Sequence, residues 1–193
     1  METALSIALG LGLAAACGFR IFVPLLVMSA AARSGHLTLT ESFEWIGSTP
    51  ALIAFGSATA LEIGAYYVPW LDNVLDALTT PAAVVAGMVA TGSQVADLDP
   101  WLSWSLAIIG GGGAAGSVQG LTVLTRQVSS FATGGLGNPL VSTAEAGASL
   151  VVAVLAILAP LVAVTLLLLG VYFGLRKVIS YRARGDGAAA TAP

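Results

Sequence analysis

Four charged side chains and one amide stand where this sequence is otherwise apolar or small: Arg20, Glu62, Gln119, Arg126 and Glu145. Arg20 is the sole charge between Ala4 and Ala32, and Glu62 sits near the middle of ALIAFGSATALEIGAYYV. An ionisable group at bilayer depth costs about 2.5–3.5 kcal/mol on insertion scales, so it is normally paired or faces a cavity. Such a set has two uses. It can form an ion, solute or headgroup pathway, or it can form buried pairs that lock helices together. Arg20 fits either an anion contact or a guanidinium that caps carbonyls freed by a helix break. Glu62 fits either a carboxylate on a transport path or an ion pair with Arg20. Its neighbours Gly56, Ala60 and Gly64 form a small-residue stripe suited to helix contact.

The remaining polar residues read differently. Ser142–Glu145, STAE, follows Gly137-Asn138-Pro139 and has the Ser/Thr-x-x-Glu spacing of a capping box, which starts the last long helix there. Asp72 and Asp76 are four apart in PWLDNVLDALTTP, where Trp70, Leu71, Val74, Leu75 and Leu78 make one apolar face. This pattern predicts an amphipathic interfacial helix whose carboxylates either share a hard cation or face solvent. A single cysteine, Cys17, excludes an internal disulfide and a multi-cysteine metal site. No nucleophile–base set, phosphate loop or HExxH pattern is present, so no enzyme activity, metal or cofactor is expected.

The elements that must position these residues follow from composition. The chain has 193 residues, 57% hydrophobic and 9% charged, with a mean hydropathy of +0.93. Soluble domains are about 25% charged, so the reading is an all-α polytopic transmembrane helix bundle in one domain, residues 1–184. A tail at 185–193 is expected to be disordered, and no nucleic-acid partner is expected. Five apolar regions stand out: Ala4–Ala32, Ala51–Val68, Pro81–Ala96, Trp101–Phe131 and Glu145–Val178. A straight span needs about 20 residues, so the first, fourth and fifth must tilt, kink or break. The sequence before Cys17 carries Glu2 and no basic residue, which argues against a cleaved signal. Four of the seven basic residues (Arg176, Lys177, Arg182, Arg184) follow the last apolar region, which predicts a cytoplasmic C-terminus.

Glycine marks where breaks are expected. Gly18 and Pro24 flank Arg20, and Gly110, Gly111, Gly112 and Gly113 stand in a row; both sites predict broken or re-entrant helices. Gly10–Gly35 also matches Gly110–Gly135 without a gap, with identities that include Gly10/Gly110, Gly12/Gly112, Val23/Val123, Ser29/Ser129 and Gly35/Gly135. EIGA at Glu62–Ala65 and EAGA at Glu145–Ala148 echo each other downstream. A pseudo-symmetric repeat is expected (about 4–68 and 101–178, joined by 69–96). It is inverted if each region crosses once.

These residues carry a resemblance. CGFRIFVPLL, Glu62, VPWLD, Asp76, TTP, Thr125-Arg126, Asn138-Pro139 and STAE together resemble a widespread family of small bacterial integral membrane proteins catalogued as a domain of unknown function. Where that pattern often has an Asp-Lys pair, this chain has Tyr66-Tyr67. The resemblance implies a polytopic helical fold in a bacterial cytoplasmic membrane. It also implies one constellation of Arg20, Glu62, Asp72, Asp76, Arg126 and Glu145, but it supplies no activity. The expected function is a transporter or channel for a small solute, ion or lipid headgroup, in contact with membrane lipid and acting as a homo-oligomer. The alternative is a non-transporting scaffold or assembly factor.

Overall fold

The computed structural model describes residues 2–67, 71–95, 98–170, 172 and 176, with side chains throughout except those of 71–76. The basic residues after Arg176, the tail at 185–193 and the side chains of Asp72 and Asp76 lie outside the described residues. What is described is helical, without a strand. The helices are α1 (Glu2–Phe19), α2 (Phe22–Arg33), α3 (Thr49–Ala65), α4 (Leu71–Gly92), α5 (Pro100–Ser105), α6 (Gly112–Thr133), α7 (Asn138–Leu158) and α8 (Pro160–Gly170). A short 3-10 helix, Glu41–Gly47, precedes α3, and a π-helical segment, Leu106–Gly111, fuses α5 to α6.

Three of these are long and apolar enough to cross a membrane: α1, the fused Pro100–Thr133 and α7. A fourth results if the 3-10 helix and α3, bent by 62°, count as one span. The protein is thus an apolar helical membrane protein by length and composition. Trp101 and Trp104 on α5 are exposed, as is Trp45, and the Ser103 hydroxyl donates to the Val95 carbonyl beside the α4 C-terminus. These indoles belong at one membrane–water boundary, where amphipathic rings are favoured.

The first apolar region does break, and proline explains where. The ring of Pro24 would collide with the carbonyl four residues earlier, that of Arg20, if the helix ran on. In the first turn of α2 its missing N–H costs nothing, because those N–H groups have no intrahelical partner anyway. Gly18 has a different role from the expected break. It lies inside α1, and a Cβ there would stand 2.5 Å from the Ala115 carbonyl oxygen and 2.6 Å from Val118 Cβ. It therefore lets α1 and α6 touch backbone to backbone, the usual route to helix association in lipid.

Both long end regions double back. Antiparallel to α3, α2 has Leu26 beside Gly56 and Ala32 beside Gly47. The chain leaving α2 then meets the end of α4, where the Thr40 N–H donates to the Ser93 carbonyl at 3.1 Å. Glu2, Thr3 and Ser6 line a small cavity with Gln94 at that same end. Helices α1 and α2 are therefore a hairpin with its tip at Arg20-Ile21. At the other terminus, a Cβ on Gly12 would meet Ala156 Cβ at 2.8 Å and Ala163 Cβ at 3.3 Å. Seven residues of straight helix would separate those two alanines by roughly 10 Å. The chain turns at Ala159 (φ −148°, ψ 69°), and α8 returns along α7. The two tips lie at opposite ends of α1, because Ala16 pairs with Ser149 and Gly12 with Ala156.

Other expectations need correction. Gly110–Gly113 is not a break: the ladder passes through it by widening to π geometry, as π-bulges do within continuous helices. Gly87 and Gly111 explain the glycines there, since a Cβ on Gly87 would stand 2.6 Å from the Gly111 carbonyl oxygen. The two sequence copies thus follow different paths, one as helix–break–helix and the other as a continuous helix. What they share is a terminal left-handed glycine, Gly35 (φ +76°) and Gly135 (φ +89°). Of the stripe of Gly56, Ala60 and Gly64, Gly56 meets Leu26 of α2, whereas Ala60 and Gly64 are exposed and nothing lies within 4 Å of a Cβ on Gly64. Leu71–Gly92 is one helix running through Pro81, so Asp72 and Asp76 sit in its first turns and not on a separate interfacial helix.

Gly18→Ala should lower the melting temperature in detergent, at a cost of about 1–3 kcal/mol for overpacking. Gly113→Ala meets nothing within 4 Å and should be neutral or gain up to about 1 kcal/mol from helix propensity. Equal melting temperatures for the two variants would contradict the close α1–α6 approach.

Candidate functional site

The tip of the first hairpin leaves backbone N–H groups without helical partners, and it is buried, so water does not satisfy them. Glu62 does so from α3. Its Oε1 accepts the Ile21 N–H at 2.9 Å, and its Oε2 accepts the Phe22 N–H at 3.0 Å. A carboxylate here also lies at the positive end of the α2 dipole. Glu62 is 8% exposed; its hydrogen-bond partners are the broken backbone, and not the Arg20 side chain that one of the two sequence readings gave it. On the carbonyl side of the break, the Ser149 hydroxyl of α7 donates at 2.9 Å to the Ala16 carbonyl, which also accepts the Arg20 N–H at 3.3 Å.

Arg20 does not cap α1, as one sequence reading held. Its guanidinium crosses to α7, where Nη2 donates to the Ser142 carbonyl at 3.0 Å and to the Ser142 hydroxyl. The same nitrogen is 3.4 Å from Glu145 Oε2. Arg126 on α6 takes Glu145 more closely, with Nε donating to Oε1 at 3.1 Å and Nη2 to Oε2 at 2.6 Å. That is a two-pronged guanidinium–carboxylate pair, the strongest ionic geometry available to these groups. One carboxylate therefore serves two guanidiniums. Both also lie over the Tyr66 ring, Arg20 at 3.8 Å and Arg126 at 4.2 Å from its centroid. A ring face attracts cations, and more strongly when water is excluded. The Tyr66 hydroxyl lies 3.3 Å from Thr79 Oγ1, which also accepts from Gln119 Nε2 at 3.2 Å.

Arg20, Glu62, Gln119, Arg126 and Glu145 thus come together, all buried. Arg126 is seven residues before the end of α6 and Glu145 seven after the start of α7. The cluster therefore sits about 10 Å inside the α6–α7 turn, nearer one end than the expected bundle centre. The capping reading of STAE is corrected: α7 begins at Asn138, with Pro139 in its first turn. That places Ser142 and Glu145 in the helix body, free to face Arg20 and Arg126. Tyr66, Thr79 and Ser149 were missed. The available signal was spacing, since Tyr66 follows Glu62 by four residues and shares its helical face. Among the described residues no group of three or more His, Cys, Asp or Glu side chains is placed to hold a metal.

Two apolar recesses adjoin the cluster. A cavity of about 330 Å³ opens between α6 and α7, walled by Phe19, Leu121, Val141, Ala144 and Ala148, with Glu145 among its lining. A second, of about 220 Å³, shares Phe19 and Leu121 and continues past Val152 and Leu155 to Leu166 and Gly170 of α8.

With this geometry in place, the chain can be set beside known proteins. A family model described as a domain of unknown function, DUF4126, matches residues 7–179, nearly the whole chain. The chain belongs to that family. No curated protein and no solved structure matches significantly.

Removing one member of a buried pair strands the other, at about 3–5 kcal/mol. Glu145→Leu, which strands both guanidiniums, should therefore lower thermal stability strongly, and adding Arg126→Met should recover only part of the loss, because Arg20 still lacks its carboxylate. Additive losses in that double-mutant cycle would mean that the pair is not coupled. Glu62→Ala strands two backbone donors and should cost about 1–3 kcal/mol for each. Glu62→Gln keeps one acceptor oxygen, so its detergent melting curve should lie between those of wild type and Glu62→Ala.

Proposed function

We propose that this member of the DUF4126 family is a small membrane transporter or channel that passes a small solute, an ion or a lipid headgroup through the polar site formed by Arg20, Glu62, Arg126 and Glu145. One observation carries the reading: the charged cluster lies at the tip of a broken-helix hairpin, and a cavity between α6 and α7 leads onto it. Discontinuous helices that present their ends to a buried polar site are the usual construction of secondary transporters. The hairpins α1–α2 and α7–α8, with tips at opposite ends, are the elements we assign to an inverted pseudo-symmetry, in place of the register suggested by the glycine pattern.

In the same reading the chain works as a homo-oligomer in a bacterial cytoplasmic membrane, with its basic C-terminal segment in the cytoplasm. A bundle this small encloses little volume alone. The groups present bind and exchange partners, and no covalent chemistry is assigned to them. A second reading, a membrane scaffold, has its own support. Both oxygens of Glu62 are occupied by backbone donors, and Arg126 holds Glu145 at two points; such contacts also serve as locks.

Flux in proteoliposomes separates the two, with ions, protons and fluorescent lipids as the panel. A transporter should show flux that falls at least tenfold in Arg20→Gln and Glu62→Gln while both variants stay folded by circular dichroism. Absence of flux across the panel, together with variants that unfold, would leave the scaffold.

A further inference from the structure

The end of the bundle opposite the charged cluster holds a second polar set. Glu2, Thr3 and Ser6 lie at the start of α1, which is 18 residues long, so they stand roughly 25 Å from Arg20 at its other end. Spaced at i, i+1 and i+4, they fall on one side of the helix. With Gln94, Val95 and Leu98 they line a cavity of about 30 Å³. A water molecule needs roughly 10–15 Å³ by this measure, so the cavity admits one or two particles of that size and no organic molecule.

Gln94 points to an occupant. It is 8% exposed and follows the C-terminus of α4, where its backbone N–H donates to the Thr91 carbonyl. Its Nε2 donates to Ser93 Oγ at 3.0 Å, whereas its amide oxygen accepts from no described residue. A buried amide oxygen needs a partner, and here the partner must come from the cavity. The Glu2 carboxylate and the Thr3 and Ser6 hydroxyls also make no hydrogen bond with any described residue. The unengaged groups around this space are therefore oxygens: one carboxylate, two hydroxyls and one amide carbonyl. Glu2 disfavours an anion. Without a nitrogen or sulfur ligand the set suits a hard cation and not zinc or copper. A single carboxylate matches a single positive charge. The C-terminus of α4 adds the negative end of its dipole, and helix C-terminal ends are used to coordinate sodium in transporters.

We infer that this cavity is a binding site for one small monovalent cation, held by the Glu2 carboxylate, the Thr3 and Ser6 hydroxyls and the Gln94 amide oxygen. Room for so little favours sodium over the larger potassium. The ion ties the start of α1 to the end of α4, and its release loosens that end without touching the Arg126–Glu145 pair. The site stands apart from the transport reading and is tested without flux.

The test uses the full chain in neutral detergent, with sodium, potassium or calcium chloride exchanged against choline chloride at constant ionic strength, because screening alone also moves stability. The readouts are equilibrium dialysis with radioactive sodium and the melting temperature. The expected result is one saturable sodium per chain and a melting temperature that rises with its occupancy. Binding should be at least tenfold weaker in Glu2→Gln and in Gln94→Leu. Glu2 is exposed, so Glu2→Gln keeps the fold and the test stands even if Gln94→Leu does not fold. Glu41→Gln, which alters another exposed carboxylate at the same end, should bind sodium as wild type does. Equal melting in sodium and choline, with no sodium bound, would mean that water alone fills the cavity and would overturn the proposal. So would potassium or calcium held more tightly than sodium, or a loss in Glu41→Gln as large as that in Glu2→Gln.

Discussion

The hydrogen bonds from the Ile21 and Phe22 N–H groups to Glu62 are the constraint on which the rest of the structure hangs. A helix that ends inside a buried, apolar bundle exposes donors that no water can satisfy. Without a carboxylate from another helix, the break at Arg20 would be unstable and α2 could not fold back. Glu62 thus fixes α3 against α2, and α3 in turn brings Tyr66 over Arg20 and Arg126. Each step obeys the same rule: a polar group placed in hydrocarbon must find a partner on a neighbouring helix.

Small residues make that arrangement reachable. Contact through glycine or alanine at Gly10, Gly12 and Gly18 brings α1 against α4, α6, α7 and α8. In lipid there is little hydrophobic gain from bringing helices together, so dispersion at close range has to supply the association. The same closeness shortens the reach between side chains on different helices. Arg20 at the end of α1 touches Ser142 on α7, and Ser149 reaches back to Ala16. Packing and polar pairing are therefore two aspects of one geometry, and neither transport nor scaffolding can be assigned to one of them alone.

Much of this was legible in the chain. Apolar regions and scarce charge fix the membrane class, because no soluble core has that composition. Pro24 fixes where the first region breaks, through a steric rule that acts within one turn. The residues of the cluster were also legible, since ionisable groups at such depth are rare and need partners. Their pairing was not. Glu62 and Arg20 are opposite charges that invite one another, yet Glu62 binds backbone and Arg20 binds Ser142. An unpaired helix end has no signature in residue type.

The sequence by itself determined what could not be left in lipid: the charges, the broken backbone, and the small faces along which helices meet. Tertiary structure alone decided which group answers which. STAE looks like a helix start and becomes a charge-bearing helix face, because Asn138-Pro139 starts α7 one turn earlier. Four consecutive glycines look like a break and become the join between a π segment and α6, because α4 presses against Gly111 through Gly87. The reason is physical. Local rules act over one turn of chain, whereas satisfying a buried donor or admitting a close neighbour depends on helices far apart in sequence and brought together only by the fold.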